Sequence, residues 1–278
     1  MSKPKSVFIS IDMEGISGIV DGSQCGGQTG EYQAGRKLMV GDLNAAIEGA
    51  LEAGATEIVV SDAHGGKKNI IPELVHRDAH LIRGHPKPWS MMTGIGESYD
   101  AVFYIGYHAM KGTENGVLAH TISGGSVAGI WINGREVGEF GINAALSGSF
   151  DVPSVLVSGD AALAAEAKAL VPGIHAAIVK WGTGRKSAKC LHPERARELI
   201  KQRAKEALLG AESIAPYQVT APCEFQLRFT NSGGGDACFD LPYIERVDGR
   251  TVKATLGDYH TMYRALRAAI NMGGSGVR

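Results

Sequence analysis

The chain has 278 residues, with 28 Lys and Arg against 29 Asp and Glu, a formal net charge of -1. At roughly 150 residues per domain this is one large domain or two modest ones, long enough to bury a substantial core without disulfides. Near-neutrality excludes the basic footprint of a general nucleic-acid binder. The 44% hydrophobic content excludes wholesale disorder, and no apolar run approaches the ~18–20 residues that span a bilayer.

Ser6 to Ile11 is apolar, but Asp12 and Glu14 end the run well short of a secretory signal. Cys25, Cys190, Cys223 and Cys238 show no Cys-x-x-Cys spacing and read as reduced thiols, so the expected location is cytoplasmic. Glycine is unusual: 38 residues, about twice the average share. Without a strict period this implies tight turns and close backbone approaches.

The first half alternates strand and helix signals. Ser6–Ile11 is a short run rich in β-branched residues, as in a strand buried on both faces. From about Gln33 to Ala53, residues Met39, Leu43, Ala46, Ile47, Ala50 and Leu51 recur at helical spacing, and Gly54 stands where a glycine stops a helix. Glu57–Val60, Asp100–Ile105 and Pro153–Val157 read as further strands. Between the last two, extended arms flank Asn133-Gly134, a strong hairpin signal, and a helix follows over Glu139–Gly148. Strands separated by helices predict an α/β fold with a mainly parallel sheet sandwiched by helices.

Beyond residue 185 the pattern changes. Pro193 opens a charge-rich helix over Glu194–Leu209, and its Glu194–Lys205 run reads as a solvated face. Cys223–Phe229 alternates strictly, as a half-exposed antiparallel strand does. Asn231–Asp236 reads as a loop, and Asp258–Asn271 as a closing helix ended by Gly273-Gly274. The expectation is an α/β catalytic core over 1–185 and a smaller α+β region over 186–278.

Ligands of an open parallel sheet bind at the carboxyl ends of its strands. After the first strand comes Asp12-Met13-Glu14-Gly15, after the second Ser61-Asp62-Ala63-His64, and after the third Gly106-Tyr107-His108. His120 and Glu139, the latter opening the helix after the hairpin, complete the set. Singly, an Asp after a strand caps a turn and a His satisfies a nearby backbone group. Together they place ionisable groups after several buried strands, which costs desolvation and calls for a compensating ligand. Mixed imidazole and carboxylate donors suit Zn²⁺ or Mn²⁺, and five of them suit two ions sharing a carboxylate.

These residues carry a family resemblance. Ser10-Ile11-Asp12-Met13-Glu14-Gly15 resembles the Ser-x-Asp-x-Glu-Gly signature of the D-aminopeptidases of peptidase family M55. The similarity continues, in order, through Ser61-Asp62-Ala63-His64, Gly106-Tyr107-His108-Ala109, His120-Thr121, Val137–Ala144, Asp151-Val152-Pro153 and Ser158-Gly159-Asp160. Thr121 and Ser61 depart from the usual Ser and Asn, and neither is a proposed ligand. The resemblance implies two Zn²⁺ per subunit, with Mn²⁺ or Co²⁺ as substitutes. Asp12 would bridge both ions, Glu14 and His108 would serve one, and His64 and Glu139 the other. His120 would be the catalytic histidine, as nucleophile or as general acid and base. The implied reaction is removal of N-terminal D-amino acids from short peptides or amino-acid amides. The implied assembly is a homo-oligomer, a ring of ten subunits.

Two other readings stay open at this point. An apolar strand ending in Asp12-x-Glu14-Gly15 imitates the Asp-x-Asp-Gly-Thr motif of haloacid-dehalogenase-like phosphatases. There Asp12 would react, although Ile16 replaces the Thr and that class has no use for His64 and His108. The second is a catalytically silent binding protein of the same fold, against which the intact ligand set argues. Elsewhere, Gly182–Ser187 lacks phosphate-loop spacing and reads as a glycine-rich connection, with Lys180 and Arg185 as candidates to meet a substrate carboxylate. His76-x-x-x-His80 lacks the Glu of His-Glu-x-x-His and reads as solvated surface. Trp131 and Trp181 read as packing residues or subunit contacts.

Overall fold

The computed structural model describes residues 5–96 and 98–277. Strand β1 (Lys5–Ile11) leads through a loop to α1 (Gly30–Glu52). Thr29 Oγ1 caps that helix by accepting from Tyr32 N at 3.1 Å, and Gly54, at φ +91°, turns the chain out of it. Strands β2 (Ala55–Asp62), β3 (Ala79–Ile82) and β4 (Ala101–Ile105) follow. The chain next forms the hairpin β5 (Val127–Ile132) and β6 (Arg135–Glu136). Its turn residues Asn133 and Gly134 sit at φ +46° and +78°, the left-handed pair that a type I′ turn requires. Helix α2 (Glu139–Gly148) then leads to β7 (Ser154–Asp160), α3 (Ala161–Leu170), β8 (His175–Gly184) and β9 (Ser187–Cys190). The remainder is α4 (Pro193–Leu209), β10 (Cys223–Phe229), α5 (Ser232–Ala237), β11 (Glu245–Asp248), β12 (Thr251–Leu256) and α6 (Tyr259–Val277).

Seven strands lie in the order β3-β2-β1-β4-β7-β8-β9, parallel except for β9, which returns antiparallel to β8. The expected mainly parallel sheet is present. Its order reverses between β1 and β4, and in such sheets the crevice outside the strand ends at this point is the usual ligand site. Every residue of β4 and β7 is buried, as the near-continuous apolar runs of central parallel strands require. Helices α1 and α4 pack closely because a Cβ at Gly49 would overlap the Lys201 carbonyl. Part of the α4 charge run therefore meets α1: Lys201 lies 3.1 Å from Glu48 and 3.0 Å from Glu52, and Lys205 lies 3.1 Å from Glu52.

The second sheet runs β11-β12-β10-β5-β6, antiparallel throughout, and draws strands from both sides of residue 185. In β10, Cys223, Phe225, Leu227 and Phe229 are buried while Glu224, Gln226 and Arg228 are half-exposed, matching the alternation in the sequence. Two stretches depart from the sequence reading. Residues 232–237 form α5 rather than a loop, and α6 continues through Gly273-Gly274 to Val277. The cause is packing. A Cβ at Gly234 or Gly273 would overlap the Phe229 ring, and one at Gly276 would overlap the Gly233 carbonyl. These glycines let two helices close on one aromatic ring, so here they serve contact rather than termination. Among the described residues, no helix is long and apolar enough to cross a membrane.

Candidate metal centre

The loops after β1 and β4 interlock at the reversal point. Asp12 N donates to Ile105 O and Gly15 N to Gly106 O, both at 2.8 Å. A Cβ on Gly15 would overlap the Tyr107 carbonyl, and Gly106 adopts φ +68° against the Asp12 carbonyl. Glycine at 15 and 106 thus brings Asp12, Glu14 and His108 into one place. The β2 loop joins through Ala63 N, which donates to Ile11 O at 2.8 Å. Asp62 closes that loop by accepting from Asn69 N (2.6 Å) and Ile70 N (2.9 Å), and Asn69 Nδ2 holds the His64 carbonyl at 2.6 Å.

The six residues singled out in the sequence converge. His64 Nδ1 lies 3.1 Å from Asp12 Oδ1 and 3.0 Å from Glu14 Oε2. His108 Nε2 lies 3.5 Å from Asp12 Oδ2 and 3.4 Å from Glu139 Oε1. His120 Nε2 lies 3.6 Å from Glu139 Oε1 and 4.0 Å from Glu14 Oε1. Two sets of potential ligand atoms, Asp12/Glu14/His64 and His108/His120/Glu139, each lie within 4.8 Å of one another. Asp12, Glu14, His108 and Glu139 are buried.

The imidazoles share a pattern. His64 Nε2 bonds the Cys25 carbonyl at 2.8 Å, His108 Nδ1 the Ala109 carbonyl at 3.0 Å, and His120 Nδ1 the Leu118 carbonyl at 2.9 Å. A carbonyl only accepts, so each of these nitrogens carries the proton and the opposite nitrogen faces the carboxylates. Two facing atoms, His108 Nε2 and Glu14 Oε2, are buried and make no hydrogen bond among the described residues. The charges speak the same way. Burial opposes ionisation of Asp12, yet the His108 and His64 imidazoles hold its carboxyl well below the usual range. Burial likewise opposes a charged His64 or His108, yet Glu14 and Glu139 respectively, with Asp12, raise both well above the usual imidazole value. A field that holds protons on buried imidazoles also attracts a divalent cation, and these oxygen and nitrogen donors suit zinc.

Several supporting residues gave no clear signal in sequence. Lys180 does not reach toward a substrate as the sequence suggested. It is fully buried, and its Nζ donates to the carbonyls of Glu14 (2.5 Å), Ile16 (3.0 Å) and Ile19 (2.5 Å), fixing the loop that carries Glu14. Arg185 is exposed and lines a cleft shared with His120. Asp42 of α1 accepts from Ser17 N and Ser17 Oγ, both at 2.8 Å, tying the same loop to the helix. Tyr107 Oη bonds Ser10 Oγ at 2.6 Å and accepts from Asn143 Nδ2 at 3.0 Å beneath the cluster. Above it lies a cavity of about 250 Å³, where Asp12, His64, His120 and Glu139 meet apolar walls that include Ile142 of α2 and Leu266 of α6.

Comparison with known proteins identifies the family and the fold. The family model for peptidase family M55, described as D-aminopeptidase, matches residues 6–268. A D-aminopeptidase of Bacillus subtilis (strain 168) is 34% identical over 261 residues, covering 94% of each chain. The solved structure of the Zn-dependent D-aminopeptidase DppA from Bacillus subtilis, a self-compartmentalizing protease, superposes with a TM-score of 0.94 at 32% identity, covering 97% of this chain and 98% of that one. A family match over residues 6–268, 34% identity over 94% of the chain and a superposition at TM-score 0.94 leave one assignment: the chain belongs to peptidase family M55, the D-aminopeptidase family of hydrolases.

Proposed function

We propose that this protein removes N-terminal D-amino acids from short peptides or amino-acid amides at a centre of two zinc ions. One observation carries the reading: three imidazoles, each tied by one nitrogen to a backbone carbonyl, turn the other onto three carboxylates. Asp12 Oδ1 faces His64 and Oδ2 faces His108, which supports Asp12 as the bridge. Glu14 and His64 would complete one ion's set, and His108 and Glu139 the other's. This division differs from the one the family resemblance implied, and it rests on which atoms lie nearest. When bound, such a pair polarises the scissile carbonyl and activates water near neutral pH.

The chain's own residues supply the rest. His120 is held by Leu118 O and presents Nε2 to the cavity edge, where it would take a proton during attack and return it to the leaving amine. Glu139 Oε1 accepts from Ile122 N at 2.7 Å, which fixes the carboxylate that His120 faces. The similarity to a self-compartmentalizing protease supports a homo-oligomer, with the ten-subunit ring as the form to test by light scattering.

The deciding experiment measures metal per chain and hydrolysis of D-alanine amide against its L-isomer. About two zinc equivalents, activity lost on chelation and regained with zinc, and preference for the D-isomer are expected. Full activity after chelation, or preference for the L-isomer, would overturn the proposal.

A further inference from the structure

The cavity over the cluster holds two cations that the reaction described above does not use. Lys67 is only 8% exposed and lines the cavity; its ammonium has three donors, and its one hydrogen bond among the described residues goes to the Ala63 carbonyl. Arg267, from α6, lines the same cavity. Its Nη1 donates to the carbonyls of Lys87 (3.1 Å) and Pro88 (3.0 Å), while Nε and Nη2 make no hydrogen bond among the described residues. Neither cation has a carboxylate at ion-pair distance among the described residues; burial disfavours the charge on Lys67, Asp12, Glu139 and Asp62 lie near enough to favour it, and Arg267 lies near enough to oppose it. Asp12 and Glu139 line the same space, so the two cations would form an anion site once metal engages those carboxylates.

Charge arithmetic points the same way. Asp12, Glu14 and Glu139 bring three negative charges, which two divalent ions outweigh, so these carboxylates no longer neutralise Lys67 and Arg267 once both ions are bound. The space is also small: about 250 Å³, below the ~300 Å³ at which pockets for drug-sized ligands begin. It fits a ligand of dipeptide size that carries its own negative charge.

Resting on the aminopeptidase reading, we infer that Lys67 and Arg267 bind the C-terminal carboxylate of the substrate, so that free dipeptides are preferred to amides and to long chains. Arginine suits this task because its planar fork meets a carboxylate through two donors.

The test compares kcat/KM of the zinc-loaded full chain on D-alanyl-D-alanine and on its C-terminal amide. Wild type should favour the free acid by about tenfold or more, as loss of a charge-assisted hydrogen bond implies. In Arg267→Gln and Lys67→Gln the acid-to-amide ratio should fall by about tenfold, mostly through KM for the free acid, and Arg267→Lys should recover part of it. Equal use of acid and amide by wild type overturns the subsite, as does an unmoved ratio in the Arg267 variants. If a Lys67 variant fails to fold, the wild-type comparison and the Arg267 pair still decide. Hydrolysis of neither compound by wild type overturns the aminopeptidase reading itself, whereas hydrolysis of both without discrimination overturns only the subsite.

Discussion

His108 and His120 stack with ring centroids 4.1 Å apart and planes 12° from parallel, and both present Nε2 to the same oxygen, Glu139 Oε1, at 3.4 and 3.6 Å. One carboxylate therefore serves a buried imidazole and a half-exposed one. Substitution Glu139→Gln keeps the shape and removes the charge. It should lower bound zinc by about one equivalent and kcat/KM by at least about a hundredfold, since ligand-shell losses usually cost 10–100-fold or more. Elemental analysis beside a hydrolysis assay checks this, and unchanged metal content would remove Glu139 from the ligand set.

Lys180 acts at a distance from the reacting atoms. In Lys180→Met the carbonyls of Glu14, Ile16 and Ile19 lose their shared donor, at roughly 1–3 kcal/mol for each group left unsatisfied. Chemical denaturation should show a loss on the order of 3 kcal/mol. Zinc affinity should fall about tenfold or more as the Glu14 loop loosens, and unaltered affinity would show that the loop holds without it.

Gly15 is set by contact. Because a Cβ there would overlap the Tyr107 carbonyl, Gly15→Ala forces the β1 and β4 loops apart. Overpacking of this kind costs about 3 kcal/mol, a Tm drop of roughly 6–12 °C in a domain of this size. Gly22→Ala, where nothing lies within 4 Å, is the control and should stay close to wild type. Calorimetry distinguishes the two.

Asp42 provides a pH signature. Burial, opposed by hydrogen bonds from Ser17, pushes its carboxyl up from 3.8 to about 6 in the folded chain. The folded state thus holds a proton that the unfolded chain has released between about pH 4 and 6. Its proton-linked stabilisation is complete below about pH 4 and lost once the pH passes about 6. Relative to wild type, Asp42→Asn should gain on the order of 2–3 kcal/mol between pH 4 and 7, on top of a constant offset from its altered bond to Ser17. Urea denaturation across that range tests the slope, and parallel curves would contradict it.

Much of this architecture was legible because its signals are local. The strands from β1 to β7 that carry site residues, the I′ hairpin and the alternation of β10 announce themselves within a few residues. Strand β11, Glu245–Asp248, could not: all four residues are exposed and only pairing with β12 makes it a strand. The glycines of α5 and α6 read as breakers because the Phe229 ring they accommodate is distant in sequence from Gly273. Likewise Lys180 reads as a candidate to meet a substrate carboxylate until the three carbonyls it holds are seen. Of the six clustered residues, Asp12, Glu14, His64 and His108 were readable because topology delivers the ends of β1, β2 and β4 to one edge. Which ring each oxygen of Asp12 faces was not, because side-chain orientation leaves no local signal in the sequence.

The cavity's far wall comes from α6, which contributes Tyr263, Leu266, Arg267 and Ile270, whereas Asp12 through Glu139 all precede it by more than a hundred positions. On the ribosome, the half of this pocket proposed to bind cations is synthesised well before the half that encloses a ligand. A nascent chain could thus gather its inorganic complement while still open, and become selective only when its final helix docks.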